Sequence, residues 1–187
     1  MRKLWPVLLV LSVLAACTQY SLVEAERVKI GNAYSVDPQI AWSKLQVGDF
    51  EIWTVDGANL ESLQFHTAVA PGDTLYQRIA DEDLPVFDAD MKPNEVMEFV
   101  IDSLARQGAN DIQTSGLRPA DFGQLRGYRF DFDFETNDGL QMRGLALGTV
   151  VEDKLHLVLY MGASIYYFDK YRDQVERIFA SIDSAEA

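Results

Sequence analysis

From Tyr128 to Glu135 the chain alternates without a fault. Tyr128, Phe130, Phe132 and Phe134 fall on one side, and Arg129, Asp131, Asp133 and Glu135 on the other, the period-two pattern of a strand with two unlike faces. Asn137-Asp138-Gly139 follows as a hairpin turn. A two-residue loop at Asp138-Gly139 sets Phe132 against Leu145 and Phe130 against Leu147, with Asp131 opposite Ala146 and Asp133 opposite Gly144. An odd loop would carry the two leucines to the acidic face, so the two-residue register is expected. Glu152-Asp153-Lys154 turns the chain into Leu155–Met161, a strand apolar on both faces. Such a strand implies layers above and below its sheet.

Two helices frame this meander. Pro93 suits a first turn, Val96, Val100 and Leu104 recur every four residues, and Gly108 is the expected stop, which predicts a helix from Pro93 to about Gln107. Phe168, Tyr171, Val175, Ile178 and Ile182 keep helical spacing and predict a last helix over 164–182, about 28 Å long. Ahead of them come strand candidates at Val28–Ile30, Tyr34–Val36, Ile40–Trp42, Phe50–Val55 and Leu60–Val69, with Asp56-Gly57 as a turn. The acidic stretch Asp81-Glu82-Asp83 and the run Asp88–Lys92 read as solvated loop. The order predicts an α+β domain, an antiparallel sheet ending in a meander and sandwiched between a middle helix and a long C-terminal helix.

The N-terminal segment carries a different signal. Arg2 and Lys3 precede an apolar run from Leu4 to Ala16. Its 13 residues span roughly 20 Å as a helix, short of the roughly 30 Å of a hydrocarbon core. The run therefore reads as a signal peptide rather than a transmembrane span. Leu14-Ala15-Ala16-Cys17 resembles the lipobox of bacterial lipoproteins. That resemblance implies cleavage between Ala16 and Cys17, diacylglycerol on the Cys17 sulfur and an acyl chain on the freed amine. It also implies Thr18, in place of an Asp, directing the protein to the outer membrane. An ordinary secretory signal cut after Ala15 or Ala16 is the alternative. The expected organisation is a signal peptide over 1–16, a lipidated tether over 17–26 and a single globular domain over 27–187.

Charge narrows the partners. Against 29 Asp+Glu stand 16 Lys+Arg, a net charge of −13; loss of Arg2 and Lys3 with the signal peptide takes this to −15. Nucleic acid is excluded as a partner, because phosphate binding needs clustered basic residues. A single Cys excludes an internal disulfide framework and a thiolate zinc cluster. The expected partners are a membrane, through the lipid anchor, and an envelope protein.

Tyr34-Ser35-Val36-Asp37-Pro38 with Trp42, Gly127-Tyr128-Arg129-Phe130, and Phe168 with Ile178-Phe179-Ala180-Ser181-Ile182 resemble the PsbP-like family, named for the extrinsic lumenal protein of photosystem II. The resemblance spans roughly residues 33–183. It implies an α/β/α sandwich and transfers no single chemistry, since the fold hosts assembly factors and binding proteins.

Candidate chemistry is sparse. His66 and His156 lie in strand candidates and read as structural. HExxH, GxSxG, Walker and GxGxxG patterns are absent from the sequence, and Ser115 and Ser164 lack the setting of an activated hydroxyl. No cofactor is expected and no catalytic residue is assigned. Asp131, Asp133 and Glu135 are weak candidates for a hard cation such as Ca²⁺, but neighbours along one strand face stand about 6.6 Å apart. A solvated face, or pairing with Arg129 and Arg143, is the preferred reading. Gly144, Ala146 and Gly148 read as room for a helix against the sheet, or as a docking strip for a partner. Tyr160, Tyr166, Tyr167, Phe168 and Tyr171 read as core and helix anchor. The expected role is a non-enzymatic envelope module; the alternatives are a small-ligand or divalent-metal carrier and a hydrolase with an unrecognised site.

Overall fold

The strand expected to be covered on both faces holds the middle of the molecule. The structure, a computed structural model, describes residues 20–77 and 83–184; the signal segment 1–16, Cys17, Thr18, Asp81 and Glu82 lie outside them. The elements run β1 (Ser21–Val23), β2 (Val28–Ile30), β3 (Tyr34–Val36), β4 (Trp42–Val47), β5 (Phe50–Thr54), β6 (Glu61–Val69), α1 (Pro93–Arg106), β7 (Ala109–Phe122), β8 (Leu125–Thr136), β9 (Gln141–Val151), β10 (Lys154–Ala163), α2 (Tyr167–Ala180) and β11 (Asp183–Ser184). Eight strands form one antiparallel sheet in the order β1-β4-β5-β6-β10-β9-β8-β7, and β11-β3-β2 form a small second sheet.

Three layers result. On one face of the large sheet, α2 and the small sheet bury Phe168, Tyr171, Val175, Ile178, Ile30, Tyr34 and Val36 against Trp42, Trp53, Phe65, Leu145 and Val158. On the other face, α1 buries Val96, Phe99, Val100 and Leu104 against Phe130, Phe132, Leu157 and Leu159. The middle helix forms as its sequence predicts. Pro93 occupies the first turn, the Glu95 carboxylate accepts the Lys92 N–H at 2.7 Å, and Gly108 leaves the helix with φ +93°.

The hairpin register differs from expectation by one residue. Phe130 faces Ala146, Phe132 faces Gly144, and Asp131 faces Leu145. The Thr136 N–H donates to the Leu140 carbonyl at 3.0 Å, so the loop is Asn137-Asp138-Gly139, with Gly139 at φ +82°. A three-residue loop with its glycine in the left-handed region is a common hairpin solution. The expectation rested on a solvated acidic face. That face instead lies beneath α2, which turns Leu145 and Leu147 from a liability into core.

Other corrections follow from the same layers. Ser21–Val23, expected as tether, pairs with β4, and Val23 is buried. β4 starts at Trp42 rather than ending there. α2 spans Tyr167–Ala180, leaving Ile165 and Tyr166 exposed ahead of it. The segment Ala109–Phe122, for which no element was expected, is the edge strand β7. It is exposed at nearly every position between its buried ends. Two register shifts, positive φ at Asp111 and Gly116, and Pro119 blunt this edge.

Two carboxylates give the fold opposite responses to pH. Arg129 donates two hydrogen bonds to Glu176 of α2, at 2.8 and 2.9 Å, and this contact holds the Glu176 carboxyl below its ordinary value. The stability it contributes is present above the unfolded carboxyl range and is lost as pH falls through the depressed folded value. Arg129→Leu is expected to cost about 1 kcal/mol near neutrality, the discount reflecting partial exposure of the pair. Urea midpoints should show that cost shrinking on acidification.

Glu61 behaves in the other direction. Its Oε1 accepts from Thr54 Oγ1 at 2.6 Å and from the Val55 and Asp56 N–H groups, while its buried Oε2 has no partner among the described residues. Burial outweighs these bonds and raises the carboxyl above its ordinary value. Its contribution is therefore present below the unfolded value and is lost as pH rises through the raised one. Glu61→Gln should gain on the wild type between acid and neutral pH, read again from urea midpoints.

Candidate functional site

β6 sets out the polar groups around which the candidate site forms. Leu63 and Phe65 point to the α2 side, so Ser62, Gln64 and His66 point to the α1 side. There Ser62 pairs with Met161, Gln64 lies between Ile52 and Leu159, and His66 lies between Phe50 and Leu157. All three polar residues are buried. The α1 helix packs over the half of the sheet nearer β7; one cleft opens over the remainder of that face, and another runs around the sheet's end to Gly31, Thr67 and His156 on the opposite side. The two clefts share Phe50, Tyr76 and Gln77.

The first cleft, of about 840 Å³, runs past Asp49, Asp73, Lys154, His66 and His156. His66 stacks on Phe50 with ring centroids 4.4 Å apart and meets Tyr76 edge-on. Burial pushes its imidazole down to about 3, against the weaker opposing effect of a backbone hydrogen bond with Leu75. His66 is thus a neutral ring. Its Nε2 stands 3.3 Å from Gln64 Oε1, which also accepts from the Tyr76 hydroxyl at 3.0 Å. His156 meets Tyr34 edge-on, and its Nδ1 has no partner among the described residues. Burial, then Lys154, depress its basicity. The two histidines line one cleft without forming a nucleophile–base pair.

The second cleft, of about 710 Å³, lies between β5–β6, the end of α1 and the β8–β9 hairpin. Its walls include Ile52, Phe134, Leu140, Met142 and Met161, with Ser62 and Gln64 set among them. Nothing in the local sequence joins these residues. The one available signal is that β6 is polar on alternate positions although its neighbour β10 is apolar on both faces.

The acidic row and the small-residue strip occupy other surroundings. Asp131 lies 3.9 Å from Arg129 and 3.7 Å from Arg118, and Asp133 lies 3.8 Å from Arg143. Glu135 accepts from Gln141. Pairing with arginines, one of the expected alternatives, describes this row; among the described residues no group of three or more His, Cys, Asp or Glu is placed to hold a metal ion. Gly144, Ala146 and Gly148 are buried, so they offer no docking strip. Ala146 lies in the cluster that α1 covers, but the space left by Gly144 is filled by a neighbouring strand rather than a helix, since a Cβ there would run into the Phe132 ring. The close helix approach belongs to Gly162, where a Cβ would stand 2.8 Å from the Phe168 backbone. Tyr160 anchors α2 as expected, donating toward the Tyr167 and Phe168 carbonyls at 3.0 and 2.9 Å.

Layers, strand order and helix placement make an α+β fold similar to that of PsbP. The cyanobacterial PsbP (CyanoP) of Synechocystis sp. PCC 6803 matches with a TM-score of 0.53 at 12% identity, over 91% of this chain and 95% of that one. LpqN of Mycobacterium tuberculosis, a protein involved in cell envelope biogenesis, matches with a TM-score of 0.42 at 11% identity, over 92% and 88%. No family model and no curated protein matches the sequence.

Proposed function

We propose that this protein is a lipoprotein of the bacterial cell envelope, held by acyl chains on Cys17, whose PsbP-like domain serves as a non-enzymatic interaction module at the periplasmic face. The observation that carries the proposal is Leu14-Ala15-Ala16-Cys17 directly behind a basic pair and a short apolar run. Thr18 supports the outer membrane as destination. Among the described residues no helix is long and apolar enough to cross a bilayer. Since β1 is already part of the sheet at Ser21, the three residue steps from Cys17 to Tyr20 reach at most about 10 Å. The domain therefore rides close to its membrane.

Mass spectrometry of the N-terminal peptide from native membranes tests this. The expected mass is that of Cys17 bearing diacylglycerol and an N-acyl chain. A free Cys17 thiol, or a chain retaining residues 1–16, overturns it.

A second reading, carriage of a small ligand, draws its support from the two clefts rather than from the aromatic group or the acidic row. Clefts of several hundred Å³ with a few polar groups set in apolar walls are the usual form of small-molecule sites.

A further inference from the structure

We propose that the cleft between β5–β6 and the end of α1 binds a neutral amphiphile, with an uncharged hydroxyl or amide head at Ser62 and Gln64 and its apolar chain along Ile52, Phe134, Met142 and Met161. This deepens the ligand-carrier reading and rests on it; it does not depend on the anchor.

Three observations converge. The first is the state of the polar groups. Ser62 is 4% exposed and Gln64 7%, yet both line the cleft. Gln64 Oε1 is occupied by Tyr76, but its amide nitrogen and the Ser62 hydroxyl have no protein partner among the described residues. Polar groups buried on a central strand are ordinarily satisfied within the protein. Here one donor, and one group able both to donate and to accept, are left pointing into a space that a ligand can fill.

The second is charge. Among the described lining residues the only charged side chain is Asp138, exposed on the hairpin loop. Among these described residues an anionic head would find no cation, and a cationic head only a solvated carboxylate at the rim. The neighbouring cleft differs sharply, carrying Asp49, Asp73, Glu152 and Lys154. The shared wall, Phe50, Tyr76 and Gln77, adds no charge either, because burial raises the Tyr76 hydroxyl well above its ordinary value and keeps it neutral.

The third is the wall itself. Ile52, Phe134, Met142 and Met161 supply an apolar lining in which two unbranched, polarizable thioethers adapt to a flexible chain. An amphiphile satisfies both halves of the cleft; a sugar or a bare hydrocarbon would satisfy one.

The test is photolabelling of the full-length protein mixed with phosphatidylcholine vesicles, using a monoacylglycerol with a diazirine in its acyl chain and a matched photoreactive fatty acid. The monoacylglycerol should label saturably, be displaced by unlabelled monooleoylglycerol, and leave its adduct within 52–64 or 134–142. Ser62→Ala should weaken labelling about tenfold, the effect of one lost hydrogen bond in a desolvated site. Met161→Trp, which fills the cleft, should remove it. Urea midpoints of both variants confirm that they fold, and Ser62→Ala alone suffices should the tryptophan variant fail. Stronger labelling by the fatty acid, or adducts confined to the Asp49–Lys154 cleft, would overturn the neutral-amphiphile assignment and leave ligand carriage standing. Unsaturable labelling by both probes would overturn both.

Discussion

Replacing Cys17 by Ala is expected to abolish incorporation of labelled palmitate and to remove the protein from the outer membrane fraction. The expectation follows from chain energetics. Each buried methylene contributes about 0.8 kcal/mol, one myristoyl chain binds a bilayer only marginally, and two chains hold it stably. Alanine at position 17 takes away the sulfur that would carry the diacylglycerol, and with it the cleavage that follows lipidation. The precursor keeps its leader, whose 13-residue apolar run is too short to span a core about 30 Å thick. Alkaline or urea washing should therefore release the variant from membranes and leave the wild type bound. Unchanged acyl labelling would show that the lipid lies elsewhere.

Gly144→Val is expected to cost about 3 kcal/mol of stability or more, and Gly144→Ala about 2, both read from urea denaturation. Insertion into a packed core typically costs about 1–3 kcal/mol, and this position is at the severe end. A Cβ there would lie 2.2–2.6 Å from three atoms of the Phe132 ring. That ring has no room to yield. It is 1% exposed and lies between Phe130 and Phe134, with centroids 6.0 and 6.1 Å away. A strip serving to dock a partner would tolerate the alanine with its midpoint unchanged, so the two roles separate cleanly.

The fold was legible wherever one face of an element is buried and the other wet. β2, β3 and α1 sit where periodicity and end signals put them, and Leu155–Met161 is covered on both sides as its composition required. β7 was not legible, because an edge strand with bulges and almost no buried side chains has no period to show. The β8–β9 register failed for a different reason. Asp131 and Leu145 share a face only because α2, more than twenty residues later in the chain, covers that face and brings Glu176 to Arg129. The anchor expectation rests on one contiguous stretch, Leu14-Ala15-Ala16-Cys17, which lies outside the described residues. The clefts were not legible, since they exist where a layer stops short of the sheet and their lining comes from stretches far apart in the chain. Gly162 could not be told from Gly144 in the sequence; only packing reveals which glycine meets a helix and which meets a ring.

The shortest strand has a mechanical consequence. β1 is three residues long, sits at the rim of the large sheet and touches only β4 within it. Tension on the chain ahead of Tyr20 acts along that strand and shears a brief ladder, from Ser21 against Lys44 to Val23 against Trp42. If the ladder yields, the leash lengthens by about 10 Å while the globule stays intact, an extension that re-pairing reverses once the pull ends.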